Sequence, residues 1–245
     1  MKGPMPTEQD QAIVLRLTEY SETSQIVTLF TAQRGLVRLI AKGARRGTAK
    51  RFAVGLDGLE YGDLSYVPAR GDAQLGTLTE WTQRDAFADL RRELGRLYGG
   101  LYAAELVAAL TEELDPHPTL FAALLRTLTS LAGPADPPVV LACFQADLLI
   151  ALGYAPNLEQ CVGCGKRRPR GAAPYFSATA GGLLCRDCEL HYVEKRRLPP
   201  GLLDTTPATG DARAWFTLQN YHLTHLLGRP PRTAAVLLKS LQVRP

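Results

Sequence analysis

Cys161-Val-Gly-Cys164 and Cys185-Arg-Asp-Cys188 are two Cys-x-x-Cys pairs separated by twenty residues, and they decide how the middle of this chain folds. Each pair points two thiolates at one position, and the two pairs together complete a tetrahedron suited to zinc. Four thiolates leave no open coordination position for water, so we expect one structural zinc ion per chain. Two disulfide bonds in a secreted domain are the alternative that the same spacing permits.

The N-terminal stretch and the overall composition argue against secretion. Residues 1–11 are polar and lack the basic-then-apolar pattern of a signal peptide. No apolar run approaches the roughly 20 residues that cross a bilayer. With 46% apolar residues, the 245-residue chain can bury a real core, and its length predicts more than one domain or one domain with a large insertion. We therefore expect a cytoplasmic protein without membrane partners, whose reduced thiols favour metal.

Basic residues are unevenly distributed, although the formal net charge is only +4. Residues 34–51 contain seven cations and no acidic residue, and two shorter basic clusters lie inside the cysteine segment and just after it. Separated clusters of this kind indicate a polyanionic partner. The first cluster consists of Arg34, Arg38, Lys42, Arg45, Arg46, Lys50 and Arg51; the second of Lys166, Arg167, Arg168 and Arg170; the third of Lys195, Arg196 and Arg197.

The first eighty residues have the pattern of β-strands. Five short β-rich segments, separated by turn residues, lie at residues 12–17, 25–30, 36–41, 58–67 and 73–82. Five strands without helices between them predict a small antiparallel barrel, either an OB-fold or an SH3-like barrel. The barrel would place the first basic cluster on one face. Single-strand binders add aromatic stacking platforms to such a face, and Tyr20, Phe52, Tyr61 and Tyr66 supply either platforms or core residues.

After the strands, the apolar spacing becomes helical. It predicts helices at residues 85–114, 119–131, 138–153, 211–227 and 233–241, so the cysteine segment interrupts a helical domain. The predicted fold class is α+β and multidomain. Its parts are a small barrel over residues 1–82, either an OB-fold or an SH3-like barrel, a helical domain over residues 83–155 and 193–245, and an inserted zinc module over residues 156–192. Cys143 is expected to be a buried, inert residue of the third helix.

The sequence contains little that points to catalysis. It has no phosphate-binding loop, no nucleophile elbow, no His-Glu-x-x-His and no zinc deaminase pattern. His222 and His225 fall three residues apart on one helix, where packing or solvation explains them better than a metal or acid–base pair. We therefore expect a nucleic-acid-binding protein rather than an enzyme. The alternatives are a zinc-ribbon RNA-binding or transcription-associated factor, and a nuclease or phosphodiesterase.

Three stretches resemble the RecO family of bacterial DNA repair and recombination mediators. They are Ser21-Glu22-Thr23-Ser24 between two strands, the segment Gly35-x-x-Arg38-x-x-Ala41-Lys42-Gly43-Ala44-Arg45, and Leu152-Gly153-Tyr154-Ala155-Pro156-Asn157-Leu158 leading into Cys161. The order of the parts is also similar: an OB-fold, a helical domain, and a cysteine module inserted within the helices. The resemblance covers essentially the whole chain.

The resemblance implies a non-enzymatic role near the nucleoid. RecO proteins bind single- and double-stranded DNA, anneal complementary strands, and act with RecR to load RecA onto DNA coated by single-strand-binding protein (SSB). Arg38, Lys42 and Arg45 match the family segment for DNA binding; Arg34, Arg46, Lys50 and Arg51 join them by proximity, and the second and third basic clusters form a secondary set. The family also binds the acidic, Phe-ending SSB tail on its helical domain, where we name Arg126, Arg229, Arg232 and Lys239 as candidate contacts. No small-molecule substrate is implied.

Overall fold

A computed structural model describes residues 7–43, 56–69 and 75–241 of the chain. Within those ranges, no helix combines the length and apolar character that a membrane crossing requires.

The N-terminal part is a closed five-stranded barrel. Its strands are β1 (Glu8–Glu19), β2 (Ser24–Thr31), β3 (Gly35–Lys42), β4 (Tyr61–Val67) and β5 (Gly76–Asp85), joined in the order β1-β2-β3-β5-β4. β1 closes the ring by pairing with β2 and also with β4. The strand order, with β3 beside β5 and β1 paired with β4, is that of an OB-fold, and it confirms that alternative over the SH3-like barrel.

One strand pairing in the barrel is parallel, where the sequence pattern predicted an antiparallel barrel. Leu39 to Ala41 of β3 run alongside Gly76 to Leu78 of β5 in the same direction. The reason is topological, because a closed ring with an odd number of strands cannot alternate direction at every step. The fourth strand also begins later than predicted, at Tyr61, because a turn at Gly58 and Leu59 with Leu59 at φ 69° precedes it.

Alternation along the strands divides the apolar side chains between two cores. One set of strand residues, which includes Val14, Leu29 and Leu39, fills the interior of the barrel. Their neighbours Ile13 and Phe30 instead join the core of the helices. Phe30 packs against Phe121 of the second helix, with the ring centroids 6.1 Å apart. The barrel and the helical part are therefore joined by a shared hydrophobic core.

Five helices form the second part: α1 (Leu94–Leu110), α2 (Pro118–Ala132), α3 (Pro137–Ala151), α4 (Ala212–Leu227) and α5 (Ala234–Ser240). α2 and α3 both begin with proline in the first turn, where the missing N–H costs nothing. Tyr102, Phe144 and Phe216 are fully buried where α1, α3 and α4 meet. Cys143 of α3 is half-buried rather than buried as predicted, and burial raises the pKa of its thiol.

The first predicted helix, over residues 85–114, is wrong at both ends. β5 continues to Asp85, a short 3-10 helix covers Ala88–Arg92, and α1 begins only at Leu94 after an extended Glu93. Phe87 causes the break, because its ring is buried, its backbone is left-handed at φ 44°, and its N–H donates to the Asp85 carboxylate at 2.8 Å. A tertiary contact thus overrides the helical spacing.

The cysteine segment forms a small sheet that lies against α4. Its strands are β6 (Asn157–Cys161), β7 (Tyr175–Ser177), β8 (Gly182–Leu184) and β9 (Arg196–Arg197), in the order β6-β8-β7-β9. Phe176 packs edge-on against His222 of α4, whose Nε2 lies 3.0 Å from the Tyr154 carbonyl oxygen. His222 is buried, which lowers its pKa, whereas His225 is exposed. Packing therefore accounts for His222, as expected.

The loop between α1 and α2 docks on the start of β3. The Leu114 N–H donates to the Leu36 carbonyl oxygen at 2.9 Å. At Gly35, which has φ +70°, an added Cβ would lie 1.9 Å from the Asp115 carbonyl oxygen. Only glycine allows the two backbones to approach this closely.

We expect Gly35→Ala to destabilise the protein more than Gly43→Ala. Both glycines have positive φ, so each substitution carries a backbone cost of roughly 1 kcal/mol. A Cβ at Gly43 meets nothing within 4 Å, whereas at Gly35 it collides with Asp115, which adds roughly 1–3 kcal/mol. Chemical denaturation of both variants measures the difference, and equal losses of unfolding free energy would contradict the docking.

Candidate metal centre and nucleic-acid interface

The four cysteines of the two Cys-x-x-Cys pairs meet at one point. One Sγ atom from each of Cys161, Cys164, Cys185 and Cys188 lies within 4.8 Å of the other three. All four thiols are free, so the structure does not contain the alternative disulfides. The Sγ atoms of Cys164 and Cys185 are 3.7 Å apart, close to the roughly 3.8 Å edge of a tetrahedron with Zn–S bonds of about 2.3 Å. The donor set and its spacing therefore fit a metal ion.

Backbone hydrogen bonds shape the two cysteine turns. The Gly165 N–H donates to the Cys161 carbonyl oxygen at 2.8 Å, and the Cys188 N–H donates to the Cys185 carbonyl oxygen at 3.1 Å. Burial opposes ionisation of Cys161, but backbone N–H groups, first that of Cys185, more than offset it and lower the pKa of this thiol to about 6. The neighbouring Cys185 side chain instead raises the pKa of Cys188 to about 12, so Cys161 ionises more readily than Cys188. The thiolate is the form of cysteine that binds metal.

The structure describes three cations of the first cluster, two of them in β3 and one in the turn before it. Arg38 and Lys42 are both exposed and four residues apart, so they share one face of the strand, and Arg34 lies in the turn before it. The described residues do not include Arg45, Arg46, Lys50, Arg51 or Phe52. OB-folds in general bind oligonucleotides on the face of their second and third strands and on loops that include the β1–β2 loop.

Each of these two arginines forms an ion pair with a carboxylate. The sequence patterns predicted neither pair. A nitrogen of Arg34 lies 3.1 Å from Glu8 of β1, and a nitrogen of Arg38 lies 3.6 Å from Glu113, in the loop after α1. Both pairs are substantially exposed, and such pairs contribute about 1 kcal/mol or less. A phosphate group can therefore displace the carboxylates.

One of the candidate aromatic platforms lies open to solvent. Tyr20 lies in the β1–β2 loop and is 61% exposed. Ser24, which follows this loop as the first residue of β2, pairs with Lys42, so Tyr20 and Lys42 lie at the same end of the barrel. Tyr66 instead donates its hydroxyl to Glu8 at 2.7 Å, and Tyr61 packs against Phe121. Loop position and exposure single out Tyr20.

Several cations of the second and third clusters make contacts within the protein. Arg168 is largely buried and donates to Asp204 at 2.6 Å, an interaction that lowers the pKa of that carboxyl. Lys195 lies 3.1 Å from Glu189, and the Arg196 guanidinium stacks 4.4 Å from the centre of the Tyr221 ring. Lys166 lies 3.8 Å from Asp187. Arg167, Arg170 and Arg197 are exposed.

The candidate tail contacts are distributed over the helical domain. Arg126 of α2 pairs with Asp147 of α3 at 2.7 Å. Arg229 and Arg232 lie in the link between α4 and α5, where Glu105 accepts the Arg232 N–H at 2.7 Å, and Lys239 is exposed on α5. The structure therefore places these four residues on three elements rather than along one.

We expect Cys161→Ser to remove the metal and unfold the module, because binding of a structural metal is coupled to local folding. The helices should persist, since their core is built largely of their own apolar residues. Cys143→Ser is the matched control, because Cys143 lies on α3 outside the cluster. Elemental analysis and far-ultraviolet circular dichroism measure both effects. Equal metal content in the two variants would contradict this assignment.

Comparison with known proteins agrees with the architecture. A family model described as the N-terminal part of recombination protein O matches residues 5–87, and one for its C-terminal part matches residues 91–227. A Rhodopirellula baltica protein named DNA repair protein RecO is 38% identical over 72% of this chain and 65% of its own length. Proteins of the same name from Anaeromyxobacter sp. strain K and Roseiflexus sp. strain RS-1 are 34% and 33% identical, over 89% and 93% of this chain and 81% and 83% of theirs. The chain belongs to the RecO family.

Proposed function

We propose that this chain is a DNA-binding recombination mediator of bacterial DNA repair. It binds single- and double-stranded DNA, anneals complementary strands and, with RecR, helps load RecA onto SSB-coated DNA. The observation that carries the proposal is the outer face of β3, where Arg38 and Lys42 are both exposed, because OB-folds bind oligonucleotides on the face of their second and third strands. Family membership supports the repair role.

The proposed interface recognises phosphates rather than base sequence. Cations that contact the backbone bind without reading base edges, which suits a protein that must act on any strand. We include Arg34, which lies in the turn before β3, and Arg45, Arg46, Lys50 and Arg51, which follow Lys42 in the sequence. Exposed Tyr20 offers a ring for base stacking. A proposed secondary surface consists of Lys166, Arg167, Arg168, Arg170, Lys195, Arg196 and Arg197. Of these residues, Arg167, Arg170 and Arg197 are exposed, whereas Arg168 is bound to Asp204.

Zinc is the metal that we propose for the cysteine cluster. Four thiolates suit its tetrahedral preference and fill its coordination sphere, so the ion would hold the two turns together and would not activate water. The protein acts as a binding protein and not as an enzyme in this proposal. It works in the cytoplasm on nucleoid DNA and docks the acidic SSB tail, for which Arg126, Arg229, Arg232 and Lys239 are the proposed helical-domain contacts.

We expect Lys42→Ala with Arg45→Ala to flatten the salt dependence of single-stranded DNA binding. Each phosphate contact contributes about 0.7 to the slope of log affinity against log salt, so the pair should lower it by about 1.4. Arg92→Ala with Arg213→Ala is the matched control, because it removes the same charge from exposed positions outside the barrel. Fluorescence anisotropy across a salt series gives the slopes. A slope unchanged in the folded double variant would overturn the β3 interface.

Annealing tests the mediator role itself. We expect the protein to accelerate pairing of two complementary oligonucleotides, with and without SSB, and to favour DNA over RNA strands. The Lys42→Ala, Arg45→Ala variant should anneal more slowly, because the phosphates that it must bring together are held less tightly. Fluorescence quenching between labelled strands follows the rate. Equal rates with and without the protein would contradict the mediator function, and a preference for RNA would favour the alternative of an RNA-binding factor.

A further inference from the structure

Leu114 has a strained backbone in the loop that docks on β3. Of the described residues other than glycine, three have a positive φ: Leu59, Phe87 and Leu114. Leu59 and Phe87 are buried in the shared hydrophobic core, so apolar burial offsets the cost of their left-handed backbone. Leu114 has φ 62° and its side chain is 70% exposed, so burial does not offset its strain. Backbone outliers of this kind concentrate at binding sites.

The loop holds the Leu114 side chain at a fixed position beside β3. The Leu114 N–H donates to the Leu36 carbonyl oxygen at 2.9 Å. The next residue, Asp115, packs its backbone so closely on Gly35 that a Cβ there would collide with it. An exposed apolar side chain is thus ordered before any ligand arrives, which lowers the entropy cost of binding.

Leu114 lines a cavity of about 190 Å³ at the start of β3. Val37, Leu39 and Tyr66 line it as well, and all three are buried, so the inner end of the cavity is largely apolar. Pockets for drug-sized molecules run from roughly 300 to 1,000 Å³. This cavity is smaller, and it suits a single ring system.

Two cations of the first cluster line the same cavity. Arg34 and Arg38 are both exposed there. Their partners Glu8 and Glu113 also line it, in exposed pairs that a phosphate can displace. A ligand that fits needs a compact apolar group next to an anion. A nucleotide has both, and the cavity adjoins the β3 face on which the phosphates of a strand are proposed to lie.

We propose that Leu114 is an apolar wedge that holds one base of a bound single strand out of its stack. That base occupies the cavity, and the adjacent phosphates lie on Arg34 and Arg38. The inference rests on the proposed DNA binding and deepens it. Leucine is among the apolar side chains that proteins insert between base steps. Because unstacking costs least in a single strand, the wedge gives a face that contacts phosphates a preference for single strands over duplexes.

The test uses the full-length, metal-loaded protein and a short oligodeoxyadenylate that contains 2-aminopurine, a base whose fluorescence rises when it leaves the stack. We expect binding to the unaltered protein to raise this fluorescence. Leu114→Ala should remove most of the rise and weaken single-strand binding about three- to tenfold, because an apolar contact is lost. Its affinity for a duplex should change less. Its salt slope should stay the same, because the phosphate contacts remain.

Two further variants complete the test. Leu94→Ala is the matched control, since it removes a leucine that is 66% exposed at the start of α1, and it should leave fluorescence and affinity unchanged. Leu114→Gly should resist chemical denaturation better than Leu114→Ala, because glycine accepts a positive φ. It should nevertheless lack the fluorescence rise, which separates the role of the side chain from the stability of the loop.

Each other outcome counts against the wedge. A full fluorescence rise at full affinity in both Leu114 variants would overturn it. A lower salt slope in Leu114→Ala would show that the loop positions Arg38 and not a base. Loss of RecR association with unchanged DNA signals would assign Leu114 to a protein contact instead. DNA binding without any fluorescence rise in the unaltered protein would end the wedge alone, whereas absence of DNA binding would end the proposed function with it.

Discussion

The shared hydrophobic core between barrel and helices is the constraint on which the rest of the structure depends. Alternate residues of β1 and β2 face outward from the barrel, yet Ile13 and Phe30 are fully buried because α1 and α2 cover them. Burying this surface determines which side of the barrel faces the helices. The outward residues of β3, Arg38 and Lys42, remain exposed as a consequence. Packing of the outward residues of β1 and β2 against the helices therefore leaves Arg38 and Lys42 of β3 outside the shared core.

The close approach of the α1–α2 loop to β3 also determines the electrostatics of that surface. Gly35 and Leu114 place Glu113 beside Arg38, and Glu8 of the neighbouring strand lies beside Arg34. These carboxylates partly cancel the charge of the arginines. Because the pairs are exposed, they stabilise the fold little, and they leave the arginines available to a stronger anion. Lys42, at the other end of the strand, lies beside the open Tyr20 loop.

The cysteine segment needs support from outside its own sheet, because strands of two to five residues cannot bury a core of their own. The four cysteine Sγ atoms meet between its two turns, and Phe176 packs its sheet against Tyr221 and His222 of α4. Some of the module's cations support this arrangement, since Arg168 binds Asp204 and Arg196 covers Tyr221. Arg167, Arg170 and Arg197 of the same segment are exposed.

The sequence by itself determined the features that reside in short windows: the spacing of Cys161, Cys164, Cys185 and Cys188, the alternation of the barrel strands, and the positions of α2 to α5. Each depends on local backbone geometry, so neighbouring residues are enough to reveal it. Only the tertiary structure decided the parallel β3–β5 pairing, the late start of α1 at Leu94, and the partners of Arg38 and Arg168. Those features join residues far apart in the chain, as Arg38 and Glu113 are, and no local pattern records which distant side chain the folded core will bring near.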